Sequence, residues 1–347
     1  MAVMQTITDL VEVLENRQTL DQAGLTRLLT TPKAEPLYQA ADRVRKRTVG
    51  DEVHLRGLIE FSNYCRRNCL YCGLRAGNSR LHRYRMTPAE IVATARFAVG
   101  LGMKTIVLQS GEDSSYTVSE LCAIVQTIKK MGVAVTLSIG ERSRSTYAAL
   151  KEAGADRFLL RIETTNEQLY ARMHPGMSYQ NRVQCLYTLK ELGYETGTGS
   201  LVGLPGQTPA MLAADLVFFK ELDADMIGLG PFIPSPGTPL AQAAGGAVDL
   251  VLKMMALTRL LMPEINMPAT TALGVKDPAG YQKGLSCGAN VVMPNMGERD
   301  YKRLYAPYPG KEGWASNAET QLAKIKAVLQ QMGRTVSPGY GFRVRGG

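Results

Sequence analysis

From about residue 52 to residue 295, short apolar runs alternate with longer stretches of helical periodicity, and few folds accept that alternation. The runs are HLRGLIEFS (54–62), KTIVLQS (104–110), AVTLSIG (134–140), RFLLRIE (157–163), TGTGSLVG (196–203), DMIGLGPF (225–232), MPATTA (267–272) and ANVVMP (289–294). Between them, 87–102 opens on Thr87-Pro88 and 117–132 on Thr117-x-x-Glu120, which are helix N-cap signals, and both close on a glycine, Gly102 and Gly132. Further helices fit 143–153, 178–192, 208–223 and 248–262. Eight strand–helix repeats predict an α/β protein with a (β/α)8 TIM-type barrel; the rival, a doubly wound open sheet, usually carries fewer strands. Residues 1–50 read as an N-terminal helical extension, with Ile7, Leu10, Val11, Val13 and Leu14 at helical spacing. Residues 51–295 form the barrel, and 296–347 a C-terminal cap and tail of the same domain, with one helix near 317–333. The glycine-rich, basic end SPGYGFRVRGG reads as loosely ordered.

Composition narrows the class. Charged residues make up 20% and hydrophobic ones 45%, which excludes a disordered chain. Six cysteines in 347 residues are too few for a disulfide scaffold, so a reducing compartment is expected. The first twenty residues lack a basic region followed by an apolar one, and no run of eighteen apolar residues occurs, so the expectation is a cytoplasmic protein without a membrane partner. The net charge of +9 suits nucleic acid, an acidic partner or an anionic ligand.

A barrel places its functional residues at the C-terminal ends of the strands. Directly after the first run comes Cys65-Arg-Arg-Asn-Cys69-Leu-Tyr-Cys72. Six randomly placed cysteines would give this C-x3-C-x2-C triplet about 0.002 times. A zinc site would need a fourth ligand, for which His82 is the only local candidate, at an unusual spacing. Three clustered thiolates suit an iron–sulfur cluster, and a cubane held by three cysteines keeps one iron for an external ligand. Arg161-Ile162-Glu163 ends the fourth run, where two charges are costly unless they pair or face a cavity. Thr136 and Ser138 alternate inward on the third run.

The triplet, with Tyr71 as its aromatic residue, resembles the signature of the radical S-adenosylmethionine (SAM) superfamily. The resemblance implies one [4Fe-4S] cluster on Cys65, Cys69 and Cys72, with SAM on the fourth iron, and an electron donor such as a ferredoxin or flavodoxin. An electron from the cluster would cleave SAM to methionine and a 5′-deoxyadenosyl radical. It also implies that Tyr71, Gln109, Ser110, Gly111, Glu112, Thr136, Ser138, Glu163 and Arg182 bind SAM, Arg182 by clamping its carboxylate.

The segments Cys72-Gly-Leu-Arg75, Arg83-Tyr-Arg-Met86, Leu108-Gln-Ser-Gly-Glu-Asp113, Gly203-Leu-Pro-Gly-Gln-Thr208, Gly230-Pro-Phe-Ile-Pro234 and Pro268-Ala-Thr-Thr271 are similar to one subfamily, the HydE maturases of [FeFe]-hydrogenase, over about residues 35–335. That resemblance implies an oxygen-sensitive enzyme acting with other maturation proteins on a small organometallic iron substrate bearing CO, cyanide and cysteinate. Arg161, Met226, Thr270, Thr271, Met293 and Tyr305 would line the substrate cavity. Two departures stand out. The C-terminal segment 311–321 has no cysteine, so a second cluster is not expected, and Ile162 stands where some members have His. Cys122, Cys185 and Cys287 fall in helical patterns and read as buried thiols. Methylornithine synthase and biotin synthase share the branch, and a non-catalytic Fe–S module is the alternative of another class. All six arginines between Glu60 and Glu90 (66, 67, 75, 80, 83 and 85) lie in a stretch without an acid. That locates most of the charge beside the cysteines, as an electropositive setting for an anionic cluster and substrate, and moves nucleic acid to a remote explanation.

Overall fold

The computed structural model describes residues 6–311 and 316–344. Its strands are β1 (Glu52–Ser62), β2 (Thr105–Ser110), β3 (Ala134–Ser138), β4 (Arg157–Leu159), β5 (Glu195–Thr198), β6 (Leu201–Val202), β7 (Met226–Ile227), β8 (Gly230–Pro231), β9 (Val291–Val292) and β10 (Thr335–Val336). Parallel pairing runs β1–β2–β3–β4–β5–β7. Single bridges, Met226 to Asn266 and Pro268 to Val291, carry the ring through the seventh run to β9, which pairs with β1. The eight positions read from the sequence therefore close into a parallel α/β barrel.

The runs are longer than the strands they yield. The fourth leaves the ladder after Leu159, and the fifth and sixth each break into two short pieces. Glycine explains the second break: a Cβ at Gly199 would lie 1.9 Å from the carbonyl oxygen of Gly228, so two backbones pass where no side chain fits. The seventh run contributes only bridge residues, because a helix, Thr271–Lys276, starts inside it.

Thr87 and Thr117 cap their helices, and Glu90 and Glu120 complete the reciprocal boxes. The N-terminal extension is three helices, Ile7–Arg17, Gln22–Thr30 and Glu35–Val49. Their buried leucines, Leu14, Leu25, Leu28 and Leu37, join Leu257 and Leu260 in one core. Helix Val248–Leu261 is consequently buried at every position from Val251 onward, covered on its outer side by the extension. No described helix is long and apolar enough to cross a membrane.

The tail corrects the expectation of loose order. After β10 pairs with the start of β1, residues 337–344 cross the base of the barrel. The Tyr340 carbonyl accepts from Arg157 Nη2 and Thr105 Oγ1, both at 2.9 Å, and the Gly341 carbonyl accepts from Arg56 Nη2 and Asn266 Nδ2, both at 3.0 Å. Buried guanidiniums in the barrel floor need acceptors, and the tail backbone supplies them.

Candidate active site

The loop after β1 folds back on itself and on the strand ends around it. Asn63, fully buried, donates to the carbonyls of His82 and Leu304 and accepts from the Tyr84 amide, closing the loop at its base. Arg83 donates to the carbonyls of Asn63, Leu74 and Arg75. The loop is pinned from outside by Arg66 N–H to the Glu112 carbonyl at 3.0 Å, Leu70 N–H to Met173 at 2.9 Å and Gly73 N–H to Pro307 at 2.8 Å. The turns it encloses carry Cys65, Cys69 and Cys72, all free and half-buried, with Cys65 Sγ accepting from the Glu112 amide at 3.3 Å. Burial pushes the Cys69 thiol up to about 12 and raises Cys65 and Cys72 as well. These thiols therefore hold their protons until a metal displaces them. Among the described residues no three Cys, His, Asp or Glu side chains converge as ligands of a single ion do. Thiols that bind three different irons of a cubane need no common centre.

The end of β2 touches the cysteine loop. A Cβ at Gly111 would sit 2.2 Å from the Tyr64 carbonyl oxygen and 2.8 Å from Cys65 Cβ, so only glycine lets this edge approach the thiols. Burial works against the Glu112 charge, but the Arg67 and Arg66 guanidiniums hold its carboxyl below its ordinary range. Its Oε1 accepts from Arg66 Nε at 2.9 Å and Arg67 Nε at 2.8 Å. The side chain read as a SAM contact thus spends one oxygen fastening the cysteine loop. Arg85 pairs with Asp113 at 2.7 Å, and Arg67 also reaches Glu141 at 2.9 Å. Three of the six arginines in the acid-free stretch, Arg66, Arg67 and Arg85, are ion-paired with carboxylates in the loops that follow β2 and β3.

Glu141, not identified from the sequence, is the hub of the next wall. It accepts from Arg67, from Asn181 at 2.9 Å and from Arg182 Nε at 2.8 Å. Arg182 also donates to the Arg161 carbonyl, so the guanidinium expected to clamp SAM is already partly committed. At the end of the fourth run, Arg161 Nη2 lies 2.9 Å from Glu163 Oε2. The two are not aligned as a hydrogen bond: both atoms, with Arg161 Nε and Thr136 Oγ1, are buried without a hydrogen-bond partner. Burial pushes the Glu163 carboxyl up, against the pull of Arg161 and Arg182. Glu163 also has φ 66°, a left-handed backbone rare outside glycine.

Tyr71 is oriented by a histidine that the sequence reading passed over. His174 Nδ1 is 2.9 Å from the Tyr170 carbonyl and must donate to it, so Nε2 accepts the Tyr71 hydroxyl, also at 2.9 Å. Burial and then Arg182 lower His174 to about 4, which keeps it neutral.

All eighteen residues singled out from the sequence line one cavity of about 390 Å³, running from the three thiols to Arg56 and Asn266 near the floor. On its wall away from the thiols, Met226 Sδ accepts from Arg56 and Thr270 donates to the Leu229 carbonyl at 3.2 Å, while Tyr305 lies under the Lys311 ammonium. A wider surface groove of about 810 Å³, near Phe97 and Asn317, holds none of these residues. Cys185 and Cys287 are buried as read, whereas Cys122 is only half-buried. Arg161, Glu163 and Thr136 line a cavity that begins at three thiols and keep buried polar atoms without hydrogen bonds, which fits a polar ligand bound beside a cluster.

Residues 59–219 match the model of the radical SAM superfamily. The [FeFe] hydrogenase maturase subunit HydE of Thermotoga maritima is 52% identical over 334 residues, covering 96% of this chain and 94% of that protein. The chain belongs to the HydE family of radical SAM enzymes. Other branches are more distant from this HydE-family chain: 3-methylornithine synthase of Methanosarcina acetivorans is 32% identical, covering 78% of the chain and 77% of the relative. A crystal structure of methylornithine synthase superposes with a TM-score of 0.81 at 27% identity, covering 94% of this chain and 97% of that one. The segment matched by the superfamily model runs from within β1 past β6 and so includes the cysteine loop.

Proposed function

We propose that this enzyme cleaves SAM reductively and directs the resulting radical to a small organometallic iron compound during assembly of the [FeFe]-hydrogenase diiron centre. The observation that carries this reading is agreement along nearly the whole chain with a hydrogenase maturase, at 52% identity, against 32% for a methylornithine synthase. When bound, a [4Fe-4S] cluster supplies one electron and SAM supplies a 5′-deoxyadenosyl radical. Cys65, Cys69 and Cys72 would hold the cluster, one thiolate each. Glu112 fixes the loop through Arg66 and Arg67, and Tyr71, held by His174, walls the nucleotide side. Glu163, Arg161 and Thr136, whose buried polar atoms lack hydrogen bonds within the protein, would receive SAM and the substrate. The tail seals the floor, so water is kept from the reacting groups. A single cluster is proposed, because no cysteine follows Cys287. An acidic one-electron donor and further maturation proteins would complete the system.

The test is complementation: a host lacking its HydE should regain hydrogenase activity with this chain and not with its Cys69→Ala variant. Formation of methylornithine when the reduced protein is given lysine, without complementation, would overturn the maturase reading in favour of the synthase. Absence of 5′-deoxyadenosine from the reduced, reconstituted protein would overturn both.

A further inference from the structure

Asp215 lies on helix Pro209–Glu221, outside the barrel, with no exposure to solvent. A buried carboxylate is costly, and this one meets only neutral donors. Its Oδ1 accepts from the Thr165 amide at 2.7 Å and the Thr165 hydroxyl at 2.6 Å, and its Oδ2 from the Ser200 hydroxyl at 2.6 Å. It does not line the cavity. The two residues it holds nevertheless bracket one that does. Thr165 follows Glu163 by two positions, and Ser200 is the bridge partner of Glu163. The Glu163 amide donates to Gly199 at 3.0 Å, and its carbonyl accepts from Leu201 at 3.2 Å. Glu163 is thus threaded between two segments that a single carboxylate ties together. A left-handed, non-glycine backbone persists only where its surroundings over-determine it. Here the strained residue is one that lines the cavity, with its carboxylate 2.9 Å from Arg161 and a buried oxygen that makes no hydrogen bond.

We propose that Asp215 is a positioning residue for the cofactor site: by clasping Thr165 and Ser200 together it holds Glu163 in the left-handed conformation that presents its carboxylate to SAM. The proposal rests on the reading of Glu163 as a SAM contact. Asp215 itself touches neither cluster nor SAM, and it acts through the backbone on either side of Glu163. The clasp also explains why a charge is tolerated there without a cation. An ionised carboxylate accepts all three donors at once, which a neutral amide does less well.

The test uses the reconstituted holoenzyme and the variants Asp215→Ala, Asp215→Asn, Glu163→Gln and Asp215→Ala/Glu163→Gln. Asp215→Ala should load iron as the parent does and give the same reduced-cluster EPR signal without SAM. It should weaken the SAM-induced change in that signal and raise KM for SAM about ten-fold or more, the scale on which supporting residues act, with kcat falling less. Asp215→Asn should recover part of the loss. The double variant should bind SAM no worse than the worse single one, because both act at one contact. In the metal-free chain, amide exchange at Thr165 and Leu201 should quicken in Asp215→Ala. If Asp215→Ala does not fold, Ser200→Ala with Thr165→Val removes both side-chain donors and carries the same expectations at smaller size. Impaired SAM binding in Glu163→Gln with normal binding in the clasp variants would overturn the proposal. Normal SAM binding in Glu163→Gln would instead overturn the reading of Glu163 on which it rests.

Discussion

Glu163 combines a strained backbone, a buried carboxyl and a place at the cavity wall, and these make its stability and its chemistry pull apart. At ordinary positions alanine is more favourable than glycine by about 0.5–1 kcal/mol, because glycine has more freedom to lose. At φ 66° the order should reverse, since a Cβ is strained in the left-handed region. Chemical denaturation of the metal-free protein should therefore find Glu163→Gly more stable than Glu163→Ala by about 1 kcal/mol, although neither couples SAM. Equal stabilities, or a more stable alanine variant, would mean that the strain is absent. At this scale the sequence was legible where spacing carries chemistry. The cysteine triplet is local, and Arg161 and Glu163 announce themselves as charges at the end of an apolar run. Asp215, Glu141 and His174 are silent, because nothing in MLAADLVF or RMHPG says that one polar residue is fully buried and hydrogen-bonded on all sides. Their partners lie between four and 103 residues away, and only the fold brings them together.

Among the elements, the loop after β1 and the end of β2 form one unit, joined by Gly111 and the Glu112 clasp. Gly111→Ala would drive a Cβ into the Tyr64 carbonyl and Cys65 Cβ. Both are parts of the loop proposed to hold iron, so the loop and not the barrel should give way. The expected result is a folded chain with far-UV circular dichroism like the parent's, but with less than half the iron after reconstitution and a correspondingly weak cluster absorbance near 400 nm, by order-of-magnitude reasoning from sub-van der Waals overlap. Full iron loading would show that the loop absorbs the methyl elsewhere. Helices were more legible than strands in this chain, and the reason is physical. A capping box such as Thr87 with Glu90 is written within four residues, whereas a strand ends where its partner's backbone allows it. The apolar run 196–203 reads as one strand, but Gly199 meeting Gly228 breaks it, and that meeting is non-local.

For the whole molecule, the barrel is sealed at its base by its own C-terminal tail, a function that a basic, glycine-rich ending did not announce. The floor gathers Arg56, Arg157 and His54 beneath the tail, with Gly341 packed so close that a Cβ there would lie 2.6 Å from the His54 ring. The cations find acceptors in the tail carbonyls, but His54 Nδ1 has no partner, and its ring cannot take a proton cheaply. Burial first, then Arg56 and Arg157, lower His54 to about 4, with Glu52 pulling the other way. The unfolded chain takes up that proton near the ordinary 6.5. Above that pH both states are neutral and His54 leaves stability unchanged. As pH falls from 6.5 towards 4, the unfolded state gains a proton that the folded state refuses, and stability is lost. His174, lowered for a similar reason, adds a second loss over the same window. Denaturation midpoints of the metal-free chain should therefore drop between pH 6.5 and 4, and His54→Asn should flatten part of that drop while leaving the pH 7.5 to 8.5 range level. A variant that keeps the full acid sensitivity would place the titrating group elsewhere and would separate the sealing of the floor from the acid response of the fold.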